Sequence, residues 1–87
     1  FAYFNRASVR NAMRDWLGAL SDAERALELD PRQVMSWVAR GRALHGLGQL
    51  DAVRETFRRA ERFVPAAHLA QLHAHRDHLL RTEEGEE

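Results

Sequence analysis

Five histidines and thirteen carboxylates are the side chains of this 87-residue chain that could do acid–base or metal chemistry. His68, His75 and His78 project to one side of a helical stretch, and His75 and His78 have an i, i+3 spacing that can hold a metal. A zinc site needs three or four converging ligands and partners that orient them. His73 lies on another side of that stretch and His45 on another helix, so the three read as a solvated helix face. Ser8, Ser21 and Ser36 sit in helical stretches with no supporting motif. The chain has no cysteine, which removes thiolate nucleophiles, thiolate metal sites and disulfides and fits a reducing compartment. No glycine-rich phosphate loop follows a strand, and no two carboxylates have an evident shared site. The expectation is a protein that is not an enzyme and carries neither metal nor cofactor.

The stretches that bear these side chains all have helical spacing. Over residues 2–13, Tyr3, Ala7, Val9 and Met13 recur with a helical period rather than by alternation. Asp15 can N-cap a second helix over 16–29, where Trp16, Leu20, Ala23 and Leu27 form one face and Ala19 and Ala26 allow close approach. Ser21-Asp22-Ala23-Glu24 has the form of a capping box but falls inside that helix. Asp30-Pro31 predicts the start of a third helix, with Asp30 as N-cap and Pro31 at the first helical position. That helix runs to about Leu47, and Gly48 can take the left-handed cap. A fourth, over 50–63, turns Leu50, Val53, Phe57, Ala60 and Val64 inward, and Pro65 closes it. A fifth, over 66–82, carries an apolar stripe of Leu69, Leu72, Leu79 and Leu80. Arg76 sits mid-stripe, placed to lay its stem on that surface with its head in water.

The formal net charge is zero, but it is uneven. Four of the last five residues are glutamates, and residues 83–87 read as an acidic disordered tail. Residues 1–82 then hold 13 basic groups against 9 acidic ones, a balance of +4. This favours an acidic partner and falls short of a nucleic-acid-binding footprint. No apolar run is long enough to span a membrane and no signal peptide is visible, so no membrane contact and a cytoplasmic location are expected. The chain starts at Phe1 inside the first periodic unit, which reads as a piece of a longer protein.

Shifting the sequence by about 34 residues brings much of it back into register. Trp37 falls on Tyr3, Arg40 on Arg6, Gly41 on Ala7, Leu50 on Trp16, Arg59-Ala60 on Arg25-Ala26, and Pro65 on Pro31. The turn at Arg14-Asp15 lacks the glycine of its counterpart, Gly48. With aromatic, small and closing proline positions in phase, this pattern resembles the tetratricopeptide repeat. The resemblance covers residues 1–65 as two repeats, 1–31 and 32–65. Residues 66–82 depart from it and suit a terminal helix that covers the last repeat. It implies an all-α fold: five helices in a right-handed superhelical stack of antiparallel hairpins, one domain over 1–82. It also explains glycine at position 41, inside a helix where it costs about 1 kcal/mol against alanine, because the second helix of the hairpin must come close.

In that family the first helix of each hairpin lines a concave surface crossed by partner segments. Carried over position by position, that surface here is Phe1, Phe4, Asn5, Ser8 and Asn11 from the first helix, with Met35, Val38, Arg42 and His45 from the third. The resemblance therefore implies a protein- or peptide-binding adaptor. Asn5 also stands where chaperone-binding members grip a C-terminal carboxylate. The cationic pair of that clamp is missing, because Met35 and Ala39 occupy its places. The alternatives are a carboxylate-reading chaperone cofactor, or a structural cap or oligomerisation module. The first hairpin's flank, around Phe1, Tyr3 and Trp16, is a candidate homodimer contact.

Overall fold

Capping and turn residues cut the chain into the five expected helices. The computed structural model describes residues 2–84, and among them there is no strand. The helices are α1 (Ala2–Ala12), α2 (Trp16–Leu29), α3 (Val34–Gly46), α4 (Leu50–Ala60) and α5 (Leu69–Glu84), with a short 3-10 turn at Ala66–His68. Asp15 caps α2 by accepting a bond from the Gly18 amide at 3.2 Å. The two hairpin turns share one left-handed residue, Arg14 with φ 63° in the first and Gly48 with φ 79° in the second. The repeat therefore holds at the backbone even where the residue type does not.

Consecutive helices pack on one another, α1 also meets α3, and α5 lies against α3 and α4. The main core gathers Trp37, Leu44, Val53 and Phe57 of the second hairpin with Leu72 and Leu79 of α5. Leu20 and Leu27 of α2 pack against it from the first hairpin. A smaller core joins Ala7, Ala23 and Ala39, with Phe4 at its edge. Burying a side chain the size of Phe57, Leu72 or Leu79 contributes about 1.5–3 kcal/mol, so α5 supplies a large part of what holds the second hairpin.

The structure corrects four boundaries. The third helix begins at Val34 after Gln33, not at Pro31. Asp30 instead accepts from the Arg32 amide at 3.1 Å, so its side chain closes a local turn and competes with the helix start. The fourth helix ends at Ala60, and Phe63 leaves the helical path to stack on Trp37 at 6.0 Å between ring centroids. The fifth opens as a 3-10 turn after Pro65, whose ψ of 146° keeps it outside the helix. It continues to Glu84, so the first two residues of the expected tail are helical, while 85–87 lie outside the described residues. The Ser21–Glu24 stretch lies inside α2, as expected.

Candidate functional site

α1 and α3 lie side by side and hold a shallow depression between them. Its lining is Phe4, Ser8 and Asn11 from α1, with Met35, Val38, Ala39 and Arg42 from α3. Its volume is about 40 Å³. That is far below the several hundred Å³ of a small-molecule site, and it admits a side-chain tip or a few waters. Phe4 and Met35 are half-buried, Val38 and Ala39 are buried, and Ser8 and Arg42 are exposed. The surface therefore combines an apolar floor with a cation at its edge.

Of the nine residues expected in the groove, six line this depression, and Phe1 lies outside the described residues. Asn5 is exposed on α1 and His45 is half-buried on α3, and neither reaches the lining. Asn11 has a different place from the one its polarity suggests. It is 6% exposed, and its Nδ2 donates to the Ala39 carbonyl at 3.1 Å, tying α1 to α3. Its Oδ1 is buried without a hydrogen-bond partner among the described residues. Ala39, which stands at one of the missing clamp positions, also joins the lining. Its i, i+4 offset from Met35 was the available signal.

The positions of the carboxylate clamp are apolar in space as well as in sequence. Met35 is approached by Gln71 of α5, whose Nε2 lies 3.9 Å from its sulfur, and Ala39 is buried. Arg42 is the lining cation, and it has no ion-pair partner among the described residues. No helix is long and apolar enough to cross a membrane, and no group of three or more His, Asp or Glu could hold a metal, both among the described residues. His73 bonds Glu61 at 2.7 Å, and Arg76 bonds Asp77 at 2.9 Å. That bond to the ionised form holds the Asp77 carboxyl below the usual carboxylate value.

The expected dimer flank divides. Phe1 lies outside the described residues. Tyr3 is half-buried between the Arg6 and Arg25 guanidinium groups, 5.9 and 5.8 Å from its ring centre. Trp16 faces the other way: its indole fills the space where a Cβ on Gly46 would lie, so it packs against α3 instead of standing on the free flank.

One curated protein is similar to this chain. It is the heat shock protein sti1 homolog of Schizosaccharomyces pombe (strain 972 / ATCC 24843), 42% identical over 55 residues. The match covers 63% of this chain and 9% of the relative's length. No family model and no solved structure matches.

Proposed function

We propose that this chain is a non-enzymatic, tetratricopeptide-type module that holds an extended protein segment in the α1–α3 depression. The observation that carries the reading is the lining itself. It comes from the same helix of both hairpins, and it offers apolar anchors at Phe4 and Met35 beside the unpaired Arg42. The likeness to a heat shock protein sti1 homolog supports a chaperone-associated partner. Arg42 selects an acidic group on the segment.

The test is a pull-down with the chain, followed by titration of the captured partner. Arg42→Ala and Phe4→Ala should each weaken binding by about 2 kcal/mol; helical signal and melting temperature should hold for Arg42→Ala, while Phe4→Ala also lowers the melting temperature because Phe4 packs on the smaller core. Arg76→Ala on α5 should leave binding alone. Added salt should weaken the parent more than Arg42→Ala, because only the parent keeps that charge. A second reading, a cofactor that reads a C-terminal carboxylate, is favoured by the same likeness and by Asn5. It requires that amidating the ligand's C-terminus abolish the complex. Loss on amidation with no effect of Arg42→Ala would reject the internal-segment reading.

A further inference from the structure

Between α2 and the end of α4 the two hairpins leave a crevice of about 370 Å³. It is far larger than the α1–α3 depression, shares no residue with it, and falls at the lower end of the range of small-molecule sites. Leu27 and Pro31 form its apolar lining on one side, Trp37 and Phe63 on the other. Trp37 is 3% exposed, and its indole N–H donates to the Pro31 carbonyl at 2.6 Å, which fixes the ring. Phe63 stacks on Trp37 with 18° between the planes, yet remains 46% exposed. The stack is therefore held from beneath and still offers aromatic surface to a further ring.

Four charged groups line the same crevice: Glu24, Glu28, Arg40 and Arg59. Three of them already have partners. Arg40 Nε stands 3.3 Å from Glu24 Oε2, and its Nη1 bonds the Thr56 hydroxyl. Glu28 accepts from Arg25 at 2.7 Å. Arg59 is exposed and has no ion-pair partner among the described residues. Although the four formal charges cancel, the charge left for a ligand is the Arg59 guanidinium.

We infer that this crevice binds a planar aromatic monocarboxylate, with its ring on the Phe63–Trp37 stack and its carboxylate on Arg59. A guanidinium takes a carboxylate through two parallel charge-assisted bonds, and an offset ring on Phe63 covers the aromatic surface left open. A cationic ligand would have to draw Glu24 from Arg40 or Glu28 from Arg25. An aliphatic acid would satisfy Arg59 and leave the aromatic surface in water. The inference does not rest on the segment-binding reading, because the two sites have no residue in common.

The probe is 1-naphthoate, titrated into the isotope-labelled full chain and followed by NMR. The Trp37 indole N–H and the amides around Arg59 and Phe63 should shift and saturate, with a Kd of about 1 mM or tighter. The Trp16 indole N–H, packed against Gly46 outside the crevice, is the internal control and should not move. Arg59→Gln, at an exposed helical position, should weaken binding at least about tenfold. Phe63→Ser should do the same by removing the ring, and Arg59→Gln carries the test alone if that variant melts early. 1-Naphthylmethylamine, which has the same rings and the opposite charge, should bind at least about tenfold more weakly than naphthoate. Arg42→Ala should leave naphthoate binding unchanged, which separates this site from the depression. Equal or tighter binding of the amine would overturn the inference, since the two glutamates would then govern the crevice. So would undiminished binding to Arg59→Gln, or no shift at about 10 mM naphthoate.

Discussion

The two hairpins share a backbone and solve its packing problem with different chemistry. In the second, Gly41 and Phe57 form one close contact. A Cβ on Gly41 would stand 2.7 Å from the Phe57 ring. In the first, the corresponding pair is Ala7 and Ala23, both fully buried. The methyl that the second hairpin gives up on one helix is matched by the ring it gains on the other. A second pair differs in the same way. Arg40 bonds the buried hydroxyl of Thr56 in the second hairpin, where Arg6 bonds the buried carboxylate of Asp22 in the first. Arg10 adds a further contact to Asp22 at 3.3 Å. The first hairpin, lacking aromatic bulk between its helices, is tied by charge. The second is tied by apolar volume, with α5 sealing it. Similar local stability can thus come from unlike residues, provided that each helix pair conserves volume and satisfies its buried polar groups.

The largest expected effect separates the two cores. Phe57→Ala should cost about 3–5 kcal/mol, enough to unfold so small a domain, and thermal melting followed by circular dichroism reads it. Ala60→Leu should also destabilise, by about 1–3 kcal/mol, because Ala60 is fully buried. A melting curve left unchanged by both would reject the volume account of the second hairpin.

Gly41→Ala sharpens the comparison, because propensity and packing predict opposite signs. Alanine in a helix interior gains about 1 kcal/mol over glycine, yet the new Cβ must displace the Phe57 ring. We expect a net loss of about 1–2 kcal/mol in urea unfolding. In a Phe57→Leu background, which removes the ring that the new Cβ meets while keeping most of the buried volume, the same change should turn stabilising. Absence of that reversal would mean the two positions are not coupled through volume.

Charge in the first hairpin is tested by acid. Arg6 hydrogen-bonds the ionised Asp22 and holds its carboxyl below the usual value, against the opposing push of burial. The stability this contributes is fully present above the unfolded value of about 3.9. It is lost as pH falls through the lower folded value. Asp22→Asn should cost about 1.5 kcal/mol at neutral pH, toward the low end because half-exposed Arg6 can be hydrated. It should also flatten the acid limb of the stability–pH curve. Asp22→Thr, which copies the second hairpin, should cost less. An acid limb unchanged by Asp22→Asn would place the pH dependence elsewhere.

The smallest effect is at the shared turn. Arg14 holds a left-handed backbone that strains a residue with a Cβ, whereas Gly48 takes it freely. Arg14→Gly should stabilise by about 0.5–1 kcal/mol, and Gly48→Ala should lose a similar amount. Urea midpoints measure both.

Much of this was legible in the chain. The period of 34, the helical spacing of apolar residues and the Asp15 cap are local properties, because 3.6 residues per turn and one capping bond depend on neighbours alone. The missing glycine at Arg14 was legible for the same reason. Helical spacing put Phe4 with Ser8, and Met35 with Val38 and Arg42, each on one helix face; that the two faces share a surface was implied by the resemblance to the tetratricopeptide repeat.

Other features depended on the partner a residue meets. Asp30-Pro31 has every local sign of a helix start, and a competing side-chain bond within the turn set the boundary at Val34. Asn11 reads as a polar groove residue, and the approach of α3 buried it against the Ala39 carbonyl. Trp16 reads as a free flank aromatic, and Gly46 gave it a place to pack. The sequence by itself determined where helices form and which residues share a side. Tertiary structure decided which of those sides is covered, because burial is a property of two surfaces and the chain specifies each of them far apart.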